Sequence, residues 1–281
     1  MQRVLIAALA ALIATPAAGL AQRDRDRDRD RPAQQTDADA FRWEGRIPEG
    51  RWISIHNLNG AISVESTSSD QVEVRAEKRW RRGDPQVVRV ETVRDGDDVV
   101  ICALWTERST CDRDGMHTRR RDRDEDRDWD DDRNDVSVHF VVRLPRGVKI
   151  RAHSVNGAID VSGARAEVVA RTVNGRIDAT TSAGPVDAQT VNGGINVRME
   201  SLSSSGDMEF ETVNGSVRIE APSNLAADVT MSTVNGSLTS DFPLTVQGRI
   251  SKQRINATIN GGGRRLTLRT VNGSVELRRS S

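Results

Sequence analysis

A short pattern of alternating apolar and polar residues recurs at regular intervals through the second half of the chain. An Asn-Gly pair marks each copy, with asparagines at 156, 174, 192, 214 and 235 that are spaced by 18, 18, 22 and 21 residues. Aliphatic residues stand six and four positions before these asparagines in most copies, and three and five positions after them. Period-two alternation with one apolar face is typical of β-strands, so each copy predicts two short strands joined at the Asn-Gly pair.

The residues around each pair form a nearly constant frame. Thr-Val-Asn-Gly starts at 172, 190, 212, 233 and 270, and Ser-Val-Asn-Gly starts at 154. The inward-facing positions alternate regularly up to the Thr, and the alternation is shifted by one residue from the Val onwards. This shift predicts a turn or bulge at which Asn and Gly adopt positive φ and the Val faces inward. Since the same corner recurs in register, stacked coils about 4.8 Å apart are favoured over independent hairpins.

We therefore predict an all-β chain, a β-solenoid (β-helix-like) of short strands, with a ladder of Thr hydroxyls and a ladder of Val side chains. The predicted structural corners are Asn59, Gly60, Asn156, Gly157, Asn174, Gly175, Asn192, Gly193, Asn214, Gly215, Asn235, Gly236, Asn272 and Gly273. Residues 255–260 are interpreted as a shorter variant of the corner.

A longer repeat relates the two halves of the chain. Residues 47–64 align with 144–161 without a gap, and Pro, Gly, His and Asn-Gly-Ala-Ile recur at identical offsets. The first copy therefore also begins a coil, which is followed by longer strands at 72–76, 87–93 and 99–104 and by a return strand at 136–144. The predicted organisation is a signal peptide (1–21), an Arg/Asp-rich disordered linker (22–40), an N-terminal β segment (41–118), a charged loop insertion (119–135) and regular solenoid repeats (136–281).

The N-terminus predicts export. Arg3 precedes an apolar run from Val4 to Ala14, and Gly19 and Ala21 occupy the −3 and −1 positions of a cleavage site before Gln22. We expect a periplasmic or a cell-surface or extracellular protein without a membrane span after cleavage. The only two cysteines, Cys102 and Cys111, are expected to form a disulfide in that oxidising compartment.

Charge excludes some partners. The 41 Lys and Arg residues balance the 41 Asp and Glu residues, so there is no basic field for nucleic acid. Alternating aspartates at 122–130 suggest Ca²⁺, but the loop lacks the Gly and the final Glu of an EF-hand, so no metal or other cofactor is predicted.

The frame N-G-x-[IV]-x-V, the [LI]-P-x-G lead-in and the export signal together resemble the bacterial "putative adhesin" family of exported β-strand-repeat proteins, a family largely of unknown function. The resemblance covers about residues 41–281. It implies a β-solenoid, an envelope or surface location and a non-enzymatic role, and it supplies no catalytic residue.

Three functions are compatible with these patterns. The favoured one is a non-catalytic, adhesin-like protein that binds a cell-envelope glycan or protein. The second is a β-helical polysaccharide lyase or hydrolase, because Asp160 and Asp178 would stack on neighbouring coils as an acid/base pair. The third is an envelope scaffold that acts through its charged tail and loop. His56 and His153 are interpreted as surface residues, and an uncovered end of the stack would allow end-to-end self-association.

Overall fold

The computed structural model describes residues 34–118, 134–202, 206–246 and 251–280, and within them it is built almost entirely from β-strands. The predicted signal peptide, most of the Arg/Asp-rich linker and most of the charged insertion lie outside the described residues. Strand β1 begins at Gln35, so residues 35–40, which the sequence assigned to the linker, are strand. Two long sheets face each other, which confirms the predicted all-β solenoid.

Sheet 1 has ten strands in the described residues and contains the strand that follows each corner. They are β1 (Gln35–Gly45), β3 (Ile62–Ser66), β4 (Val72–Trp80), β9 (Ser137–Leu144), β11 (Ile159–Ala164), β13 (Ile177–Thr181), β15 (Ile195–Met199), β17 (Val217–Ala221), β19 (Leu238–Ser240) and β23 (Val275–Arg279).

Sheet 2 has eleven strands in the same described ranges and contains the strand that precedes each corner. They are β2 (Trp52–His56), β5 (Arg89–Asp95), β6 (Asp98–Leu104), β10 (Lys149–His153), β12 (Val168–Arg171), β14 (Val186–Gln189), β16 (Met208–Glu211), β18 (Ala227–Ser232), β20 (Thr245–Val246), β21 (Arg254–Ile259) and β22 (Arg264–Arg269). A hairpin of β7 (Ser109–Asp112) and β8 (Gly115–Thr118) and a 3₁₀ turn (Pro85–Val87) complete the described elements.

Each coil consists of one strand of sheet 2, a corner and one strand of sheet 1. Coils stack in parallel and without slippage between equivalent positions, as in the pairing of Ile150 with Val168 and of Ile159 with Ile177. The predicted alternation of buried and exposed positions is therefore confirmed. The residues six and four positions before each Asn, and most of those three and five positions after it, are buried between the sheets.

The core between the sheets is narrow and aliphatic. Ala152, Ala170 and Ala188 face it in the central coils, whereas Phe210 fills it in the coil that follows. Small side chains allow the two sheets to approach closely, which explains how a chain with 3% aromatic residues closes a continuous core.

The N-terminal half forms the first coil and one end of the stack. Strands β2 and β3 pair with β10 and β11 on one side, as the 47–64 repeat predicts, and with the later strands β6 and β9 on the other. Beyond β6 and β9 the pairing becomes antiparallel, through β5 in sheet 2 and through β4 and β1 in sheet 1. No Asn-Gly pair stands between β6 and β9 in the sequence, although these two strands continue the parallel pairing in both sheets.

The C-terminal coil breaks the order of the stack. Strand β22 lies between β16 and β18, and β23 lies between β17 and β19, so the coil formed by residues 264–279 is inserted between two coils that precede it in sequence. The last coil in the sequence therefore does not form the open end of the stack. That end is instead formed by β19 in sheet 1 and by the β20–β21 hairpin in sheet 2.

Candidate functional site

The corners of seven coils form an unbroken ladder of asparagine side chains. The Nδ2 of each Asn donates a hydrogen bond to the Oδ1 of the Asn on a neighbouring coil, and all six bonds measure 2.8 Å. In spatial order the ladder contains Asn59, Asn156, Asn174, Asn192, Asn214, Asn272 and Asn235. Identical amides stacked at one strand spacing satisfy each other, so the asparagine is required by its neighbours as well as by the turn.

The corner glycines are required by close approach between coils. A Cβ on Gly193 would lie 2.1 Å from the carbonyl oxygen of Gly175, and the same contact recurs at every corner from Gly157 onwards, at 1.9–2.1 Å. The sequence-based reason, positive φ, holds only for Gly60 and Gly273 among the corner glycines. Asn260 is the one non-glycine residue with positive φ in the described ranges, and it lies outside the ladder, so it is not a shorter corner.

The threonines that precede five of the seven corners are buried and bind the neighbouring coil, while Asn57 and Ser154 precede the other two corners. The Oγ1 of Thr190 donates to the carbonyl oxygen of Gly175 at 2.9 Å, and equivalent bonds of 2.7–3.0 Å join the other coils. The predicted hydroxyl ladder is therefore a ladder of hydroxyl-to-glycine bonds. These bonds hold the corner tightly against the next coil.

The valines of the frame face solvent, which corrects the expected inward ladder. Since the buried Thr already fills the inner side of the corner, the next side chain must point outwards. The exposed fraction of these side chains is 38–59%. They form a row along the stack that we call the valine ridge: Val173, Val191, Val213, Val271 and Val234.

A groove runs beside the ridge, across five coils. It has a volume of 510 Å³. Its floor consists of four of the buried threonines, one wall is formed by Val191, Val213 and Val271 of the ridge, and the other wall is the last outward residue of five sheet 2 strands. The residues of this second wall are Arg171, Gln189, Glu211, Arg269 and Ser232. We call the space between the two walls the corner groove. Five coils at about 4.8 Å make the groove about 20 Å long.

Both charge signs line the groove. Arg269 contacts Glu211 across 3.2 Å, and both side chains are about half exposed or less. Beside this wall, burial raises the pKa of Asp187, with Arg171 opposing the shift. Burial and the nearby Glu211 raise the pKa of Glu209. Partly desolvated acidic groups therefore lie beside the arginines of the wall.

The column of outward residues that forms the second wall of the groove continues beyond Arg171 to two histidines, which we had expected on the surface. His56 and His153 pack edge to face with ring centroids 4.7 Å apart, and burial lowers the pKa of each to about 4. The β7–β8 hairpin covers His56, where a Cβ on Gly115 would lie 2.4 Å from the imidazole. The row is thus covered at this end.

The hairpin is fixed by a disulfide between Cys102, on the outer side of β6, and Cys111, with 5.8 Å between the two Cα atoms. Val100 and Leu104 pack under it with Met116. In the described part of the chain no group of three His, Cys, Asp or Glu residues is placed to hold a metal ion, and no helix is long and apolar enough to cross a membrane. The aspartates at 122–130 lie outside it.

Asp160 and Asp178 are neighbours in register on β11 and β13, as the repeat predicts. Arg176 contacts both, with its guanidinium 2.8 Å from one oxygen of Asp160 and 2.5 Å from one oxygen of Asp178. Asn196 also donates to Asp178 at 2.8 Å. The pair lies on the open outer face of sheet 1, away from the corner groove, with the arginine bridging its two carboxylates.

The family profile of Toastrack DUF4097 matches residues 46–278, nearly the whole described fold. The chain belongs to the Toastrack DUF4097 family. This confirms the adhesin-like resemblance seen in the frame of the repeat. No curated protein matches the chain.

Two solved structures are similar to this Toastrack chain. One is described as a "putative cell adhesion protein" from Clostridium sporogenes ATCC 15579; it has 7% identity and a TM-score of 0.48, covering 89% of this chain and 100% of the other. The second is described as a "putative adhesin" from Bacteroides fragilis NCTC 9343; it has 10% identity and a TM-score of 0.31, covering 89% and 99%.

Sequence reasoning missed the corner groove in this Toastrack coil stack because it placed the valines inside. One signal was available. The Thr at −2 and the Val at −1 are adjacent, and adjacent residues of an extended chain point to opposite sides, so a buried Thr implies an exposed Val. The charged wall, Arg171, Glu211 and Arg269, occupies a single column at position −3 of the same frame.

Proposed function

We propose that this protein is an exported, non-catalytic, adhesin-like binding protein of the cell envelope, and that the corner groove holds an extended peptide chain of an envelope polymer. The observation that carries the proposal is the valine ridge beside the groove. Five of the seven large hydrophobic side chains that are exposed in the described residues belong to this one row. Exposed apolar side chains concentrated in one place are typical of interaction surfaces.

The chemistry of the groove favours a peptide over a neutral glycan. Sugar rings usually bind against aromatic side chains, but Tyr is absent from the chain, and none of the twelve lining residues is aromatic. The apolar ridge and the mixed Arg and Glu wall suit a chain that carries methyl groups, amides and charges of both signs. A groove of about 20 Å accommodates about six extended residues.

Two features support export. The first 21 residues have the pattern of a cleavable signal, and the disulfide between Cys102 and Cys111 is of the kind that persists outside the cytosol. Peptidoglycan stem peptides and extended segments of envelope proteins are the two sources of peptide that such a protein meets.

The non-catalytic part of the proposal rests on Asp160 and Asp178. A hydrolase needs one carboxyl group that holds a proton and one that does not. Here Arg176 contacts both carboxylates and the two side chains are about equally exposed, so they do not lie in the contrasting environments that such a pair needs. The pair therefore has the arrangement of a surface ion-pair network.

Co-sedimentation of the purified mature protein tests this function. The arms are intact peptidoglycan sacculi, sacculi whose stem peptides have been removed by an amidase, and beads carrying an extended peptide of alternating Ala, Lys and Glu. The supernatants are also assayed for newly released sugar ends. We expect retention on intact sacculi or on the peptide beads, loss of retention on peptide-free glycan, and no released ends.

The arms distinguish the alternatives. Retention on sacculi without retention on beads identifies stem peptides as the source, and the reverse identifies protein segments. Equal retention on peptide-free glycan would overturn the peptide assignment. Released sugar ends that disappear in D160N/D178N would establish the lyase or hydrolase alternative. Retention that is lost only on deletion of 119–133 would establish the scaffold alternative.

A further inference from the structure

The inserted C-terminal coil has a second consequence, independent of the groove. In the two sheets, residues 227–240 are joined to the preceding coil of residues 208–221 only through the coil of residues 264–279, because β18 and β19 pair with β22 and β23 and neither pairs with β16 or β17. We infer that this position in the stack is an exchange site, in which the 264–279 coil of a second copy of this chain can replace the chain's own.

The site is specific for this coil in both sheets. In the corner, Asn272 bridges Asn214 and Asn235, and Thr270 donates to the carbonyl of Gly215 at 2.7 Å. In sheet 1, Arg218 meets Glu276 at 3.1 Å. In sheet 2, Glu211 meets Arg269.

The core contacts of the inserted coil are equally complete. Four of its apolar side chains are fully buried: Leu266, Leu268, Val275 and Leu277. A coil from a second copy restores every one of these contacts, whereas an unrelated strand restores only the backbone bonds.

A four-residue hinge lies beside the inserted coil. Strands β21 and β22 flank β18 on opposite sides, since Ala227 pairs with both Ile259 and Arg264. The chain crosses from one side to the other in residues 260–263, which all have positive φ, at 46°, 84°, 81° and 133°. A Cβ on Gly261 would meet nothing within 4 Å. Fully extended, four residues span about 13 Å, which is enough to carry β22 off β18 towards another molecule.

Exchange preserves all contacts except those of the hinge, so its cost is small and its extent depends on protein concentration. Within one chain the coil is held at an effective concentration of about millimolar, so the closed monomer dominates in dilute solution. Exchange is therefore expected where copies are crowded or where the coil opens transiently.

Disulfide trapping between full-length chains tests this inference. Glu220 on β17 and Arg278 on β23 are partners in register, and parallel neighbours lie about 4.8 Å apart, within disulfide range. E220C and R278C are prepared as separate proteins, one with a size tag, and are mixed at high concentration under a mild oxidant. The native cysteines are already paired. The matched control mixes T180C with R198C, which are register partners on two consecutive coils.

We expect the E220C and R278C mixture to accumulate a disulfide-linked heterodimer with time and with protein concentration, at least fivefold above the control mixture. The double variant E220C/R278C should close within one chain, which shows that the geometry permits the bond. Heterodimer at the control level, together with closure of the double variant, would overturn the inference. Deletion of Gly261–Gly263 should raise the dimer fraction in sedimentation, and an unchanged monomer would count against the hinge.

Discussion

At the residue scale, three side chains of the frame act together. The glycine lets adjacent coils approach, the threonine binds the glycine carbonyl thus brought near, and the asparagine binds its own copy on each side. The glycine and asparagine contacts repeat at all seven corners, and the threonine bond repeats at the five corners that contain threonine. A substitution at one corner therefore disturbs the coils on both sides, and no neighbouring residue can supply the missing space or the missing bond.

The clearest consequence concerns Gly193 and its neighbour Gly194. G193A places a Cβ 2.1 Å from a backbone carbonyl oxygen, whereas G194A places one 3.4 Å from the nearest atom outside its chain neighbours, the carbonyl oxygen of Ser216. We expect G193A to lower the free energy of unfolding by about 3 kcal/mol, at the upper end of overpacking costs, and G194A to change it by less than about 1 kcal/mol. Urea unfolding followed by far-UV circular dichroism measures both. Equal stability of the two variants would refute the steric account of the corner.

At the element scale, the order of the coils is the feature that the sequence hides. The alternation and the corners were predictable because period, apolar face and Asn-Gly frame are local properties. Which coil lies next to which is not a local property of the sequence. Every coil offers the same backbone edge and nearly the same corner, so several stacking orders satisfy the backbone and corner hydrogen bonds equally. Two charge pairs do join the coils that are adjacent, Arg218 with Glu276 and Glu211 with Arg269, and both are visible as opposite charges in one column.

The β7–β8 hairpin is the element most sensitive to acid. His56 and His153 lie partly buried beneath and beside it, facing Arg151, Arg171 and His117, with Asp112 the opposing charge. Their pKa values of about 4 lie below the usual 6.5, so folding favours the neutral rings. Their contribution to stability is complete above pH 6.5 and is lost as the pH falls towards 4.

The expected loss between pH 7 and pH 4 is on the order of 3 kcal/mol for each histidine, and roughly twice that for the two together. Urea unfolding of the wild type and of H56Q/H153Q across this range measures it. The variant should be less dependent on pH by that amount, even if it is less stable at pH 7. Parallel curves for the two proteins would show that the histidines do not carry the acid sensitivity.

At the scale of the whole molecule, the stack presents two unlike faces. The outer face of sheet 1 carries ion pairs between its own side chains, such as those of Arg176 with Asp160 and Asp178. The corner beside sheet 2 carries the valine ridge and a groove with both charge signs. The repeat made the fold predictable. The groove, however, depends on whether the valine before each Asn faces the core or the solvent, and the alternation of apolar and polar residues cannot decide this because it shifts by one residue at that point.

The most direct test of the account compares valines of matched exposure on different faces. V191D/V213D changes two ridge residues that are 38% and 39% exposed, and V141D/V87D changes two valines, 40% and 44% exposed, that lie outside the ridge. Retention of each on intact sacculi and on peptide beads is measured after circular dichroism confirms folding. The account predicts at least tenfold weaker retention for V191D/V213D and wild-type retention for V141D/V87D. Equal retention of the two variants would contradict the assignment of the corner groove as the binding site.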